Sequence, residues 1–239
     1  MAFGASFRRR LPGICSSGVF LKRVDFHERP CYNSHISLQQ APVTGCLKSV
    51  KGGRKMKEFS GKKSVITPEG VFIIGTYDEN GIPNAMNAAW GQQSDYGEIT
   101  LFLGKHKTTE NIKKTKAFTV AMATKDTVVI SDYFGVETGS KVNKIEKAGV
   151  HVHKAAHVNA PIIDEYPLTL ECELKSWDDA TGILVGTIVA SQADDSILTD
   201  GKVDLDKMQP IMFDAATSTY RVIGPVVGKA FHDGLQLKG

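Results

Sequence analysis

Val71-Phe72-Ile73-Ile74-Gly75-Thr76-Tyr77-Asp78, then Asn80-Gly81, then Asn84-Ala85-Met86-Asn87-Ala88-Ala89-Trp90 is the stretch that decides how the chain is read. The first run is β-branched and aromatic and apolar at odd and even positions alike, which predicts a strand over 71–78 buried on both faces. Asn-Gly is the dipeptide of tight hairpin turns, so a second strand is expected over 84–91.

Outward from this hairpin the pattern repeats. Glu98-Ile99-Thr100-Leu101-Phe102-Leu103-Gly104 alternates as a third strand. Residues 107–116 break the alternation, with Thr108-Thr109 at the start, Glu110 in the first turn and Lys113, Lys114 and Lys116 at the end. That charge order suits a helix dipole. Residues 117–123 return to strand, 126–135 and 141–149 read as short helices, and strands are expected over 168–177, 183–191 and 219–224. Strands outnumber helices, and the helices do not alternate with them regularly. The expected fold is mainly β, a β-barrel with helical insertions, rather than a doubly wound parallel sheet.

Charge divides the 239 residues into two parts. Residues 1–55 carry ten Lys/Arg against Asp25 and Glu28, a net of +8, whereas 56–239 carry a net of −5. The first part is read as a basic leader and 56–239 as the domain. Lys51-Gly52-Gly53-Arg54-Lys55 is what a purine-rich ribosome-binding site ahead of Met56 would encode, so 1–55 is expected to be translated upstream sequence. An Arg-rich, acid-poor transit peptide, and after it a functional basic tail, are the alternatives. An acidic domain whose single arginine is Arg221 is poorly suited to nucleic acid, which needs clustered cations. No apolar run approaches the roughly 20 residues of a membrane-spanning helix. A cytoplasmic protein is expected.

Several chemistries find no support in the spacing. Walker, dinucleotide-fingerprint, nucleophile-elbow and zincin motifs are absent. Cys172 shares a strand face with Leu168, Leu170 and Leu174 and is expected in the core. His151, His153 and His157 lack a completing ligand set, so no metal is assigned. The acidic stretch from Asp194 to Asp206 reads as a solvated loop.

Three segments carry ligand chemistry. In 84–90, small side chains let a flat ring approach the backbone, Asn84 and Asn87 offer amide donors and acceptors, and Trp90 offers a stacking face. The same residues equally suit a strand packed on a neighbour, with Trp90 in the core. Lys105-His106-Lys107-Thr108-Thr109-Glu110 brings cations and hydroxyls to a helix start, a natural phosphate cradle or an ordinary capped helix. Residues 135–144 form a glycine-punctuated loop entering a helix, with Lys144 just inside. Together they suit a ligand with a flat ring and an anionic tail, flavin mononucleotide (FMN) among others.

Taken in order, Pro83-Asn84-Ala85-Met86 through Trp90, Lys107-Thr108-Thr109-Glu110-Asn111-Ile112, Asp132-Tyr133-Phe134-Gly135 through Thr138-Gly139 and Lys144, Ala160-Pro161-Ile162-Ile163, Leu170-Glu171-Cys172, and Tyr220-Arg221-Val222-Ile223-Gly224 through Val227-Gly228 resemble the flavin-reductase-like, FMN-binding split-barrel family, in its flavoredoxin-like branch. The resemblance covers about 60–232 and implies a Greek-key split barrel. It implies that Asn84 and Trp90, with Met86 and Asn87 of the same strand, line the flavin ring. Thr108 and Thr109 would hold the phosphate, and Lys144 would add positive charge. The family commonly has Ser-Gly at Thr138-Gly139 and an aspartate at Asn143. Phe213 or Tyr220 would close the site. The resemblance further implies a homodimer, hydride transfer from NAD(P)H to FMN, and electrons passed on to an acceptor such as a redox partner protein. A non-enzymatic electron carrier and a binding module for another phosphorylated ligand are the alternatives.

Overall fold

A computed structural model describes residues 68–238; the leader assigned to 1–55 and the Met56 start lie outside them. The strands are β1 Glu69–Gly70, β2 Phe72–Tyr77, β3 Pro83–Ala88, β4 Gly91–Asp95, β5 Glu98–Phe102, β6 Ala117–Met122, β7 Val152–Lys154, β8 Pro161–Ile163, β9 Leu168–Asp178, β10 Ile183–Ala193, β11 Leu198–Thr199, β12 Lys202–Val203, β13 Ile211–Asp214 and β14 Thr219–Val222. The helices are α1 Lys107–Thr115, α2 Val128–Val136, α3 Lys144–Ala148 and α4 Leu205–Met208. The molecule is mainly β, as expected, and its centre is a seven-stranded sheet in the order β3-β2-β6-β9-β10-β5-β4. All the pairings within it are antiparallel.

Strand β2 is buried on both faces because each face has its own core. Ile74 packs with Leu101, Phe118, Cys172 and Leu184 on one side of the sheet. Ile73 packs with Phe134, Ile145, Ile163 and Ile211 on the other, where α2 and α3 lie. Cys172 is fully buried, and burial pushes its thiol up to about 12. Gly75 is needed where it stands: a Cβ there would meet the Thr119 hydroxyl at 2.4 Å and the Pro161 carbonyl at 2.8 Å.

The expected hairpin exists but is wider than a two-residue turn. Residues 78–82 join the strands, the Asp78 carboxylate accepts the N–H groups of Asn80 and Ile82 at 2.9 Å each, and Gly81 takes φ +75°. The single strand expected over 84–91 is corrected. It stops at Ala88, and Gly91–Asp95 pairs with β5 at the opposite end of the sheet order. The break falls at Trp90, whose carbonyl accepts the Phe102 N–H at 2.8 Å, and a Cβ on Gly91 would meet Leu101 at 2.4 Å. Periodicity cannot show such a crossing between sheet edges, because both halves are extended. The strands at 152–154, 161–163 and 211–214 are too short to carry a pattern. The acidic stretch is ordered locally by two carboxylate caps: Asp194 accepts the Ser196 N–H, and Asp204 starts α4.

Candidate functional site

Strand β3, the start of α1 and the end of α2 enclose a cleft of about 840 Å³ among the described residues. Each wall has a local cause. Strand β3 is the outer strand on its side of the sheet, so its small residues leave Asn84, Met86 and Asn87 facing the cleft rather than another strand. Helix α1 begins at His106 in extended conformation. Its first N–H groups have no carbonyl one turn earlier to receive them; the Thr109 N–H is met by the His106 side chain, which leaves those of Lys107 and Thr108 free. The positive end of the helix dipole therefore lies at this wall.

The two walls are joined by one bond. The Asn84 carboxamide donates to the Thr108 hydroxyl at 2.7 Å, with both residues nearly fully buried. A parallel bond runs from Asn111 to Thr76 at 3.0 Å. Asn87 donates to the Ser131 carbonyl at 2.9 Å, which fixes β3 against α2. The loop after α2 lies directly on Asn84: a Cβ on Gly139 would come to 2.0 Å from the Asn84 Oδ1. The second glycine of the Thr138-Gly139 pair is thus demanded by a side-chain approach.

Lys144 is 4% exposed and still lines the cleft. Its ammonium donates to the carbonyls of Phe134 at 2.9 Å and Glu137 at 3.2 Å, so it holds the C-terminal turn of α2. Burial lowers its pKa to about 8 from 10.5, against a smaller opposing pull from Glu137. Asn143 in place of the family's aspartate keeps a role: its side-chain oxygen caps α3 by accepting the Glu146 N–H at 3.3 Å. An amide serves a cap as well as a carboxylate does.

The rim is charged. Lys107 pairs with Asp78 at 3.4 Å and Lys114 pairs with Glu79. Burial tends to raise the Asp78 carboxyl, but the N–H groups of Ile82 and Asn80 and the Lys107 ammonium hold it below the usual carboxylate range.

Of the residues expected at the site, Asn84, Met86, Asn87, Thr108 and Lys144 come together on the cleft wall. Thr109 and Trp90 do not. The Thr109 hydroxyl accepts the His106 N–H at 2.9 Å and donates to the His106 carbonyl at 2.8 Å. It is a helix cap, turned inward and fully buried. Trp90 is 60% exposed and stands outside the cleft of its own chain, on the connection between β3 and β4, neither in the core nor on the wall. Phe213 and Tyr220 pack ring against ring, tilted, with centroids 5.9 Å apart; neither lines the cleft, but the Tyr220 hydroxyl donates to Asp132 at 2.8 Å and lies against the Asn87 amide behind the wall. The three histidines face three separate carboxylates: His151 with Glu165 at 3.0 Å, His153 with Asp164 at 2.5 Å and His157 with Glu171 at 3.3 Å. Asp78, Phe134 and the carbonyl that Glu137 turns to Lys144 were not legible in advance. The glycines at 135 and 139 were the signal that this loop approaches something closely.

A curled antiparallel sheet carries an amide-lined cleft against a helix N-terminus and a buried lysine, an arrangement chemically suited to a planar, anionic ligand. Residues 65–210 match the family model of the flavin reductase like domain, and the chain belongs to that family. The flavoredoxin of Desulfovibrio vulgaris (Miyazaki F) superposes with a TM-score of 0.72 at 31% identity, over 75% of this chain and 100% of that one. Flavoredoxin from Methanosarcina acetivorans gives 0.70 at 25% identity, over 77% and 99%. Nitrilotriacetate monooxygenase component B from Bacillus cereus, at 15% identity and a TM-score of 0.65 over 74% of this chain and 100% of that one, shares the fold. An uncharacterized protein of Aquifex aeolicus (strain VF5) is 29% identical over 107 residues, 44% of this chain, and the match spans 55% of that protein's length. No helix among the described residues is long and apolar enough to cross a membrane.

Proposed function

We propose that the cleft binds FMN and that the chain is a flavin-dependent oxidoreductase taking hydride from NAD(P)H and passing electrons to an acceptor. The observation that carries this reading is the Asn84–Thr108 bond, which seats an amide-lined strand beside a helix N-terminus. The donor set fits the cofactor. The free N–H groups of α1 and the remaining hydrogen of the Thr108 hydroxyl hold the phosphate. Lys105, Lys107 and Lys144 supply the positive charge, and Asn84 and Asn87 orient the ring through amide contacts. Gly139 brings the 135–140 backbone close enough to cover it and exclude water. When bound, FMN supplies the hydride and single-electron chemistry, and the protein positions it and tunes its electronics. The protein is read as a homodimer.

A second reading, an electron carrier without its own NAD(P)H activity, is favoured by the likeness to flavoredoxin at 31% identity. One sequence of measurements separates the readings. A visible spectrum after reconstitution with FMN should show the two flavin bands, and a protein that stays colourless refutes the FMN reading. Anaerobic stopped-flow mixing with NADH and then NADPH should bleach those bands within the turnover time. Bound flavin that neither nucleotide reduces leaves the carrier reading.

A further inference from the structure

Past β14 the chain leaves the body of the domain. Among the described residues, the hydrogen bonds of 225–238 run only within this segment: Lys229 donates its N–H to the Asp233 carboxylate at 2.8 Å, and the last turn closes from Leu235 to His232 at 2.9 Å. A hooked arm results, and its large side chains face water. Val226 is 85%, Val227 97% and Phe231 102% exposed, with Ile223, Leu235 and Leu237 about half exposed or more. Isolated surface apolar residues are ordinary, but a continuous apolar arm marks an interaction site.

The same chain carries a second unsatisfied surface. Trp90 and Phe102, bonded backbone to backbone at 2.8 Å, are both exposed where β4 forms the outer strand of the sheet. Two complementary needs on one chain are both met by a two-fold arrangement, in which each copy gives its arm and receives the other's. An unlike partner on the arm would leave the Trp90–Phe102 edge bare.

We propose that the C-terminal arm, residues 223–238, docks on a second copy of this chain, across the edge formed by Trp90 and Phe102. The proposal deepens the homodimer reading above and rests on it, but not on the flavin. The area is sufficient. Each large aliphatic or aromatic side chain buries about 60–120 Å² of apolar surface. Six per arm, two arms and the surfaces they cover then remove roughly 1,400–2,900 Å², against about 1,200–2,000 Å² for a standard stable interface.

The test uses the full chain. Sedimentation velocity should give a dimer for the native sequence and a monomer for the double variant Val227→Asp, Phe231→Asp, whose circular dichroism should be unchanged because both side chains already face water. A dimer that survives the double substitution overturns the arm and leaves the homodimer reading standing. A native chain that is monomeric overturns both. A second measurement holds even where the variant fails to fold. Isotopically light and heavy copies of the native chain, refolded together and cross-linked through lysines, should join Lys229 or Lys238 to body lysines such as Lys105 in mixed-isotope pairs. Cross-links of the arm confined to one isotope, to the body or to residues 1–67, show that the arm covers its own chain and overturn the proposal.

Discussion

The Asn84 carboxamide and the Thr108 hydroxyl, 24 positions apart in the chain, meet at 2.7 Å on the cleft wall, both nearly fully buried. The bond ties the outer strand of the sheet to the N-terminal turn of α1, so the ring side and the phosphate side of the cleft cannot shift independently. Substitutions at either partner therefore act on both fold and ligand.

Thr108→Ala removes the acceptor and leaves a buried amide N–H unpaired, which costs about 1–3 kcal/mol of stability. FMN affinity should fall further than riboflavin affinity, because the hydroxyl is assigned to the phosphate. Urea unfolding and paired titrations with the two flavins measure both effects. Equal weakening of the two ligands would move the phosphate to another wall.

Gly139→Ala places a methyl group at 2.0 Å from the Asn84 Oδ1. The loop or the asparagine must move, and overpacking of this kind costs about 1–3 kcal/mol. A lowered melting temperature together with loss of flavin binding is expected. A variant that melts and binds like the native chain would show that the loop is free to retreat.

Lys144 titrates near 8 in the folded chain instead of 10.5, since burial disfavours its charged form. The sign differs for stability and for binding. From about 8 to about 10.5 the unfolded chain binds the extra proton, so this residue's contribution to stability rises with pH. Affinity for the FMN phosphate runs the other way and falls as the ammonium is lost above about 8. The ratio of FMN to riboflavin affinity should drop across that interval in the native chain and stay flat in Lys144→Met. A native ratio indifferent to pH would remove Lys144 from the phosphate's surroundings.

Glu171 is a fully buried carboxylate that accepts the His157 N–H at 2.7 Å, the Gln192 amide at 2.5 Å and the His157 ring at 3.3 Å. Burial would raise its pKa, but these bonds outweigh it and leave the carboxyl below its ordinary value. Its stabilising effect is then present above the unfolded carboxylate's pKa and is lost as pH falls through the lower folded value. Glu171→Gln turns an amide donor toward donors that already face it, and should cost about 1–3 kcal/mol at neutral pH. The acid limb of the stability curve should also become shallower, which thermal melts across acidic buffers would reveal. An unchanged limb would mean that other carboxylates govern acid unfolding.

The strand type and double-sided burial of Phe72–Tyr77, the helix at Lys107–Thr115 and the inward Cys172 were all legible in the sequence. Each follows from local side-chain character, which fixes whether a short segment is extended or coiled and which faces avoid water. The family order of motifs added Asn84, Thr108 and Lys144. What local character cannot carry is the pairing of segments distant in the chain. Ala88 and Gly91 look like one strand because both are extended, yet they belong to opposite edges of the sheet. Thr108 and Thr109 are chemically alike, and only the rotation of α1 against β3 turns the first into the cleft and the second back onto His106. Trp90 reads as core or as a stacking platform by composition, and the crossing between sheet edges leaves it 60% exposed on its own chain. Side-chain chemistry is local, whereas the direction in which a side chain faces is set by long-range packing, and that is what the tertiary structure alone decided.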